Sequence, residues 1–570
     1  MSKVLVADKG TAYLPIVVAA DAPQEIKTSA RDLSHTLWRM TGAKFEIVAS
    51  CEGPCFQFVI DENLEEEQFV IKSCACCGVK ISGGTSHGVM YGIYAFLEDI
   101  LGVRFYSHDV TKIPTRETIE FDDLEYTDKP ALEHRQLDYP VLVRPEWSAR
   151  NRLNGAGVDN WYGGITHGYS LFVHSFNHLC NPDVYFDEHP EYFSMVNGER
   201  IKEQTQLCLT NPEVLQIVIE NVKKALRANP KARIVSVSQN DWYNPCECPE
   251  CAKVDAENGA HSGTMIQFVN KVAEAIEEEF PNVVVDTLAY MYTRKPPKVV
   301  KPRHNVCVRL CSIECCFAHP LETCREVTGG FKTRAKTSDS SFQEDLINWG
   351  KICDRIYIWD YVTNYRYFWL PFPNFQVLGP NMQFFVKNGV KGVYEEGNYQ
   401  SVSPDMTEMR TWLLAKLLWN PDFDVDAGIV EFTDAVYGPA AAEIREYIAH
   451  MQKRVLENNI HFGIFEHQDT PYIDEPTITK AKEIIARAQA KDLTFSQRLY
   501  VEKVAFSLEF TEVSRDIYNG VIDPVRIDAM YDMARTLGIT SMAEGWHMYI
   551  ARHDLLDGKL FRERTRPVRR

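Results

Sequence analysis

Apolar and polar positions alternate along this chain with two different periods, and the change from one to the other marks its organisation. Near the start, Leu14 to Val18 is strand-like, and Ile26, Ala30, Leu33 and Leu37 recur at helical spacing. Thr41 and Gly42 then break the helix, and Lys44 to Val48 returns as a strand. Cys77 to Ser82 predicts a further strand ending at Gly83-Gly84. His87 to Leu101 predicts a helix with Val89, Ile93, Phe96, Leu97 and Leu101 on one face, stopped by Gly102. From about residue 130 to 420 strand-like and helix-like segments alternate, the pattern of a parallel sheet or barrel. Candidate strands are Leu132 to Asp138, Leu171 to Phe176, Gln206 to Thr210, Arg233 to Ser238, Val283 to Ala289, Val306 to Leu310, Arg355 to Trp359 and Gly392 to Tyr394. Beyond Trp419-Asn420-Pro421 only helical faces follow, such as Ile444, Tyr447, Ile448 and Met451. The expected architecture is α/β. A small N-terminal α/β domain (1–125) precedes a central TIM-like (β/α)8 barrel (126–420), and a helical C-terminal domain follows (421–570).

Bulk properties narrow the function. A length of 570 residues with 45% hydrophobic and 25% charged side chains describes a globular chain large enough for several cores. A formal charge of −18 opposes a nucleic-acid partner, because Lys and Arg cluster only at Arg562 to Arg570, expected to be a solvated terminus. The N-terminal stretch has no signal-peptide apolar region, and no run approaches the roughly 20 apolar residues of a membrane span. The expectation is a cytoplasmic protein with no membrane partner and mostly reduced thiols.

The chemistry sits where apolar runs end in polar groups. VSVSQNDWYNPCECPEC (Val235 to Cys251) and GVYEEGNYQ (Gly392 to Gln400) both read as strands that deliver carboxylates, amides and aromatics to a barrel mouth. The acids at predicted strand ends are Asp138, Asp241, Glu314, Asp360, Glu395 and Glu396. Hydrolysis of a glycosidic bond needs one group to protonate the leaving oxygen and a second to stabilise or attack the anomeric carbon, so converging acids are sufficient for it. They are not specific to it, since barrel-loop acids are often solvated or ion-paired. Aromatics including Trp161, Tyr162, Trp242, Tyr243, Tyr290, Tyr292, Trp359 and Tyr361 accompany them, offering flat apolar faces that suit sugar rings.

These stretches, with HPEYFSMVNGER (His189 to Arg200), QLCLTNPEV (Gln206 to Val214), CCFAHPL (Cys315 to Leu321), LPFPNFQVLGPNMQFFVKNGVKGVYEEGNYQS (Leu370 to Ser401) and LLAKLLWNP (Leu413 to Pro421), resemble glycoside hydrolase family 163. The first 125 residues resemble the small domain that precedes the barrel in α-glucuronidases and β-hexosaminidases. The resemblance implies a retaining endo-β-N-acetylglucosaminidase acting on an N-glycan-type oligosaccharide, with the 2-acetamido carbonyl as nucleophile. Glu314 is assigned as general acid and Asp241 as the carboxylate orienting the acetamido group, the reverse assignment being equally compatible with the sequence, with Asp360 and Glu395 as further catalytic candidates. Asn240 stands where related hexosaminidases carry a second acid. Arg135 resembles an arginine that grips sugar hydroxyls, and Asn240, Trp242, Tyr290, Trp359, Tyr361, Glu396 and Asn398 complete the expected substrate-binding set. An exo-acting glycosidase of other specificity and a non-catalytic carbohydrate-binding protein stay open as alternatives.

Cys246, Cys248 and Cys251 form CxCxxC with Pro249 in the turn, a metal-ligand pattern lacking one member. Cys311, Cys315, Cys316 or His319 would supply the fourth, with Cys315 taken as the partner in a structural Zn²⁺ site. Catalysis by carboxylates requires no cofactor. Oligomeric state is not encoded in these patterns.

Overall fold

The computed structural model describes residues 3–139, 144–155, 161–168, 171–328 and 340–558; the basic tail Arg562 to Arg570 lies outside them. The N-terminal segment folds as expected in kind. Helix Gln24–Thr41 ends at Gly42, whose φ of 74° is the left-handed conformation that a helix C-cap favours. Helix Ser86–Ala95 starts at Thr85, whose side chain accepts from the Gly88 N–H. Both pack on a six-stranded sheet that includes Cys55–Ile60, Phe69–Cys74 and Gly78–Gly83. Cys74 and Cys77 are joined by a disulfide at the turn between two of these strands, against the expectation of free thiols there.

The central sheet has seven parallel strands. They are β1 (His134–Asp138), β2 (Thr166–His167), β3 (Ala232–Ser236), β4 (Val284–Ala289), β5 (Val306–Cys311), β6 (Ile356–Tyr361) and β7 (Val390–Glu396). The order β1-β7-β6-β5-β4-β3-β2 curls the sheet as a TIM-like half-barrel. Two of the eight expected strands are corrected. The run Leu171 to Phe176 is not a strand: His174 has a φ of 51°, which breaks extended backbone, and Thr166–His167 pairs with β3 instead. Gln206 to Thr210 makes only an isolated bridge, Phe193 to Leu207. There the Gln206 side chain takes over a strand's pairing role: Oε1 accepts from Asn240 N–H at 2.9 Å, and Nε2 donates to the carbonyls of Asn240 and Trp242 at 3.0 and 2.8 Å.

Beyond Trp419 the chain is mainly helical, from Val425–Val436 to Met548–Leu556. One apolar cluster runs from barrel residues such as Ile358 and Val393 through Trp369 and Phe372 to Ile444, Phe506 and Phe510 of these helices. Among the described residues no helix is long and apolar enough to cross a membrane.

Candidate active site and cysteine cluster

Side chains two apart along a strand share a face, and this parity decides which strand-end acids meet. On the interior face lie His134, Gln136 and Asp138 of β1, Arg309 of β5, Tyr357, Trp359 and Tyr361 of β6, and Tyr394 and Glu396 of β7. Their contacts agree: His134 stacks on Tyr357 with ring centroids 5.1 Å apart, and Trp359 meets Tyr394 at 4.3 Å. Arg309 pairs with Asp286 of β4 at 2.5 Å and lies over the rings of Phe172 and Trp359. Gly392 sits beneath the His134–Tyr357 stack, where a Cβ would come within 2.7 Å of the His134 Cβ.

Two acids stand at the C-terminal rim of this face. The Tyr394 hydroxyl donates to Asp138 Oδ2 at 2.6 Å, and the Trp359 indole N–H donates to Glu396 Oε2 at 2.6 Å. Burial raises the Asp138 carboxyl above its ordinary range, opposed by the Tyr394 bond. Glu396 is pushed up to about 8, first by burial and then by the charges of Glu544, Asp138 and Asp241, against the Trp359 hydrogen bond. The Glu396 side chain nonetheless keeps partial exposure. Asp241 follows β3 as a half-exposed carboxylate whose Oδ1 accepts from the Tyr290 hydroxyl at 3.0 Å. His174 Nδ1–H donates to the Gln239 carbonyl at 2.7 Å, and Nε2 faces Asp241 Oδ1 at 4.0 Å.

The other expected acids lie elsewhere. Asp360 and Glu395 belong to the opposite parity, pair in register with each other, and are 4% and 2% exposed on the side turned from the interior. Ser312 Oγ donates to Asp360 at 2.5 Å. Burial moves Asp360 up to about 6, and burial plus the Asp360 charge holds Glu395 well above the carboxylate range. Glu314, expected as the general acid, is 1% exposed and ion-paired with Arg294, which also holds Asp345 at 2.7 Å.

Arg135 is also corrected. Its parity points it away from the interior, where it is fully buried, bonds Glu67 of the N-terminal segment at 2.6 Å and lies over Tyr91 and Trp419. It joins two layers of the protein. Asn240 is buried, donating to Asn177 Oδ1 and the Thr205 carbonyl, each at 2.9 Å. Trp242 donates to the same carbonyl at 2.7 Å, and Asn398 donates to the Ser401 carbonyl, so these side chains shape loops. Of the expected binding set, Trp359, Tyr361 and Glu396 share the interior parity, and Tyr290 bonds Asp241. His174 was not foreseen; its signal is visible only in the backbone, as a positive φ beside a carboxylate.

The CxCxxC cysteines do find a fourth member, but it is Cys208. Cys208, Cys246, Cys248 and Cys251 are all buried with sulfurs within 4.8 Å of one another. Cys208 Sγ lies 3.6 Å from that of Cys248 and 3.9 Å from that of Cys251. Tetrahedral zinc with bonds of about 2.3 Å separates its sulfurs by about 3.8 Å. The Met195 N–H faces Cys246 Sγ at 3.4 Å, the kind of donor that supports a thiolate. Cys315 is outside the group, buried in the main apolar cluster beyond the end of β5. The Gln206 bonds to Asn240 and Trp242 explain the exchange, because they lay the Cys208 segment alongside the loop that carries the other three.

Residues 105–449 match the family described as "Domain of unknown function (DUF4838)", more than half of the chain. The chain belongs to the DUF4838 family. That match overturns the resemblance to glycoside hydrolase family 163 and the endo-β-N-acetylglucosaminidase assignment drawn from it. No curated protein matches the DUF4838 chain. Among solved structures it is similar to a family GH115 4-O-methyl-α-glucuronidase with specificity for decorated arabinogalactans, at 13% identity and a TM-score of 0.60, covering 94% of this chain and 76% of the other. It is also similar to a GH89 enzyme of Clostridium perfringens bound to its substrate GlcNAc-α-1,4-galactose, at 12% identity and a TM-score of 0.50, covering 90% of this chain and 65% of that one. At such identities the likeness establishes the shared fold.

Proposed function

We propose that this protein is a glycoside hydrolase in which Glu396 is the proton donor and Asp241 the second working carboxylate. The observation that carries the reading is the raised Glu396 carboxyl at the barrel rim. At neutral pH it still holds its proton, it keeps access to solvent, and part of its shift comes from the charge of Asp241. An acid poised near the working pH, with an exposed carboxylate whose charge reaches it, is the division of labour that glycosidic cleavage needs. The glycoside hydrolases that share the fold support the same class of reaction. In this reading the segment 126–420 is the catalytic unit, the flanking segments 1–125 and 421–570 brace it, and the partner is an oligosaccharide or glycan.

Asp241 and Tyr290 support a 2-acetamido sugar as the bound residue: a carboxylate accepts an amide N–H, and a phenol donates to the neighbouring carbonyl. The four-cysteine group holds a structural Zn²⁺ that fastens the loop following Asp241 to the Cys208 segment, while the chemistry itself uses no metal.

A panel of aryl N-acetylhexosaminides and aryl uronides, each with good and poor leaving groups, tests the reading. Glu396→Gln is expected to lose about 10²- to 10⁴-fold on poor leaving groups and far less on dinitrophenyl glycosides, which need no proton. Equal loss on both, or no turnover by the parent with any glycoside, overturns it.

A further inference from the structure

A second group of metal-ligating side-chain types is distinct from the four cysteines. Cys316, His319 and Cys324 come from the connection after β5, and His461 from the segment after helix Ala441–Glu457. One ligand atom from each lies within 4.8 Å of all the others. Cys316 Sγ is 3.5 Å from His319 Nδ1, and Cys324 Sγ is 3.5 Å from His461 Nδ1. Zinc bonds of about 2.3 Å to sulfur and 2.0 Å to nitrogen place tetrahedral S and N ligands about 3.5 Å apart, so both S···N edges are those of an S₂N₂ site.

The four ligand atoms converge on a common centre, and the two imidazoles approach to 4.5 Å between centroids. The Asn459 side-chain amide lies 3.1 Å from His461 Nε2, and only when turned to present Oδ1 does it accept the Nε2–H and leave the Nδ1 lone pair for an ion. The backbone already holds the two segments in register, with Phe317 N–H donating to the Phe462 carbonyl at 2.9 Å.

We infer that Cys316, His319, Cys324 and His461 form a structural zinc site that clamps the connection after β5 to the C-terminal helical segment. The full chain, purified under reducing conditions without chelator, is analysed for metal by mass spectrometry alongside Cys324→Ser and His461→Gln. Each variant is expected to carry one equivalent of zinc less than the parent, while Cys208→Ser loses a different equivalent. His461→Gln keeps the site interpretable if Cys324→Ser fails to fold. Co²⁺ added to the metal-stripped parent gives a readout independent of any variant: a thiolate charge-transfer spectrum containing a histidine-bearing S₂N₂ component. Unchanged zinc in both folded variants, a cobalt spectrum with S₄ character alone, or a Cys316–Cys324 disulfide in the unreduced chain would overturn the site.

Discussion

Replacing Glu396 by Gln isolates the group on which the functional reading turns, and stability reports on it without any substrate. An ordinary glutamate releases its proton near 4.3, whereas Glu396 holds it to about 8. In the unfolded chain the group therefore ionises first. Between those two values the native state carries the extra proton, and stability falls as pH rises. The contribution of the protonated acid is whole below about 4.3 and lost as pH passes through about 8. Each unit of the gap is worth about 1.4 kcal/mol, which sets an upper limit of roughly 5 kcal/mol. Gln keeps the acceptor for the Trp359 indole and removes the titration. In urea unfolding followed by tryptophan fluorescence from pH 4.5 to 9, the variant should gain on the parent by several kcal/mol, with the gain levelling off above pH 8. Other raised acids, such as Asp360 and Glu395, act on both proteins alike. Parallel pH profiles for the two proteins would show that Glu396 titrates as a surface carboxylate, and the assignment would fall.

Four further outcomes follow from the same coordinates. Asp241→Asn should cost about 10²- to 10⁴-fold in kcat/KM for the preferred glycoside while leaving urea midpoints nearly unchanged, since the residue is exposed. Arg135→Ala should destabilise by roughly 3–5 kcal/mol in the same unfolding assay, because it leaves the Glu67 carboxylate without its buried cation. Gly392→Ala should cost about 1–3 kcal/mol, as the new methyl meets the His134–Tyr357 stack. Chelation strong enough to strip zinc should lower the thermal midpoint and reduce activity through the Asp241 loop; Cys208→Ser should reproduce the activity loss and only part of the fall in midpoint, whereas Cys315→Ser should do neither.

Much of the scaffold was legible in the chain. Helices such as Pro212–Ala228, capped by Asn211 with Pro at the first turn, and strands such as Val306–Cys311 follow from local pattern. The site was harder because parity, rather than proximity in sequence, selects its members. Glu395 and Glu396 are neighbours at one strand end, yet the strand sends them to opposite faces. Arg135 is turned from the interior for the same reason, and the ion pair that engages Glu314 with Arg294 is a tertiary contact invisible to local pattern. The Cys208 partnership was hidden in a run that looked like a strand, whose glutamine instead pairs with the neighbouring loop. Asp241 and Tyr290, by contrast, meet as their places at strand ends suggested.

The unbroken apolar cluster between the barrel and the C-terminal helices limits how this protein can vary. Severing the chain near residue 420 would lay bare Trp369, Tyr367 and Phe372, rings that are at most 1% exposed in the intact molecule. The helical segment is therefore no detachable cassette. Relatives should keep it together with the barrel it covers, and attempts to trade it between them should yield aggregates unless the barrel side of the contact is traded too.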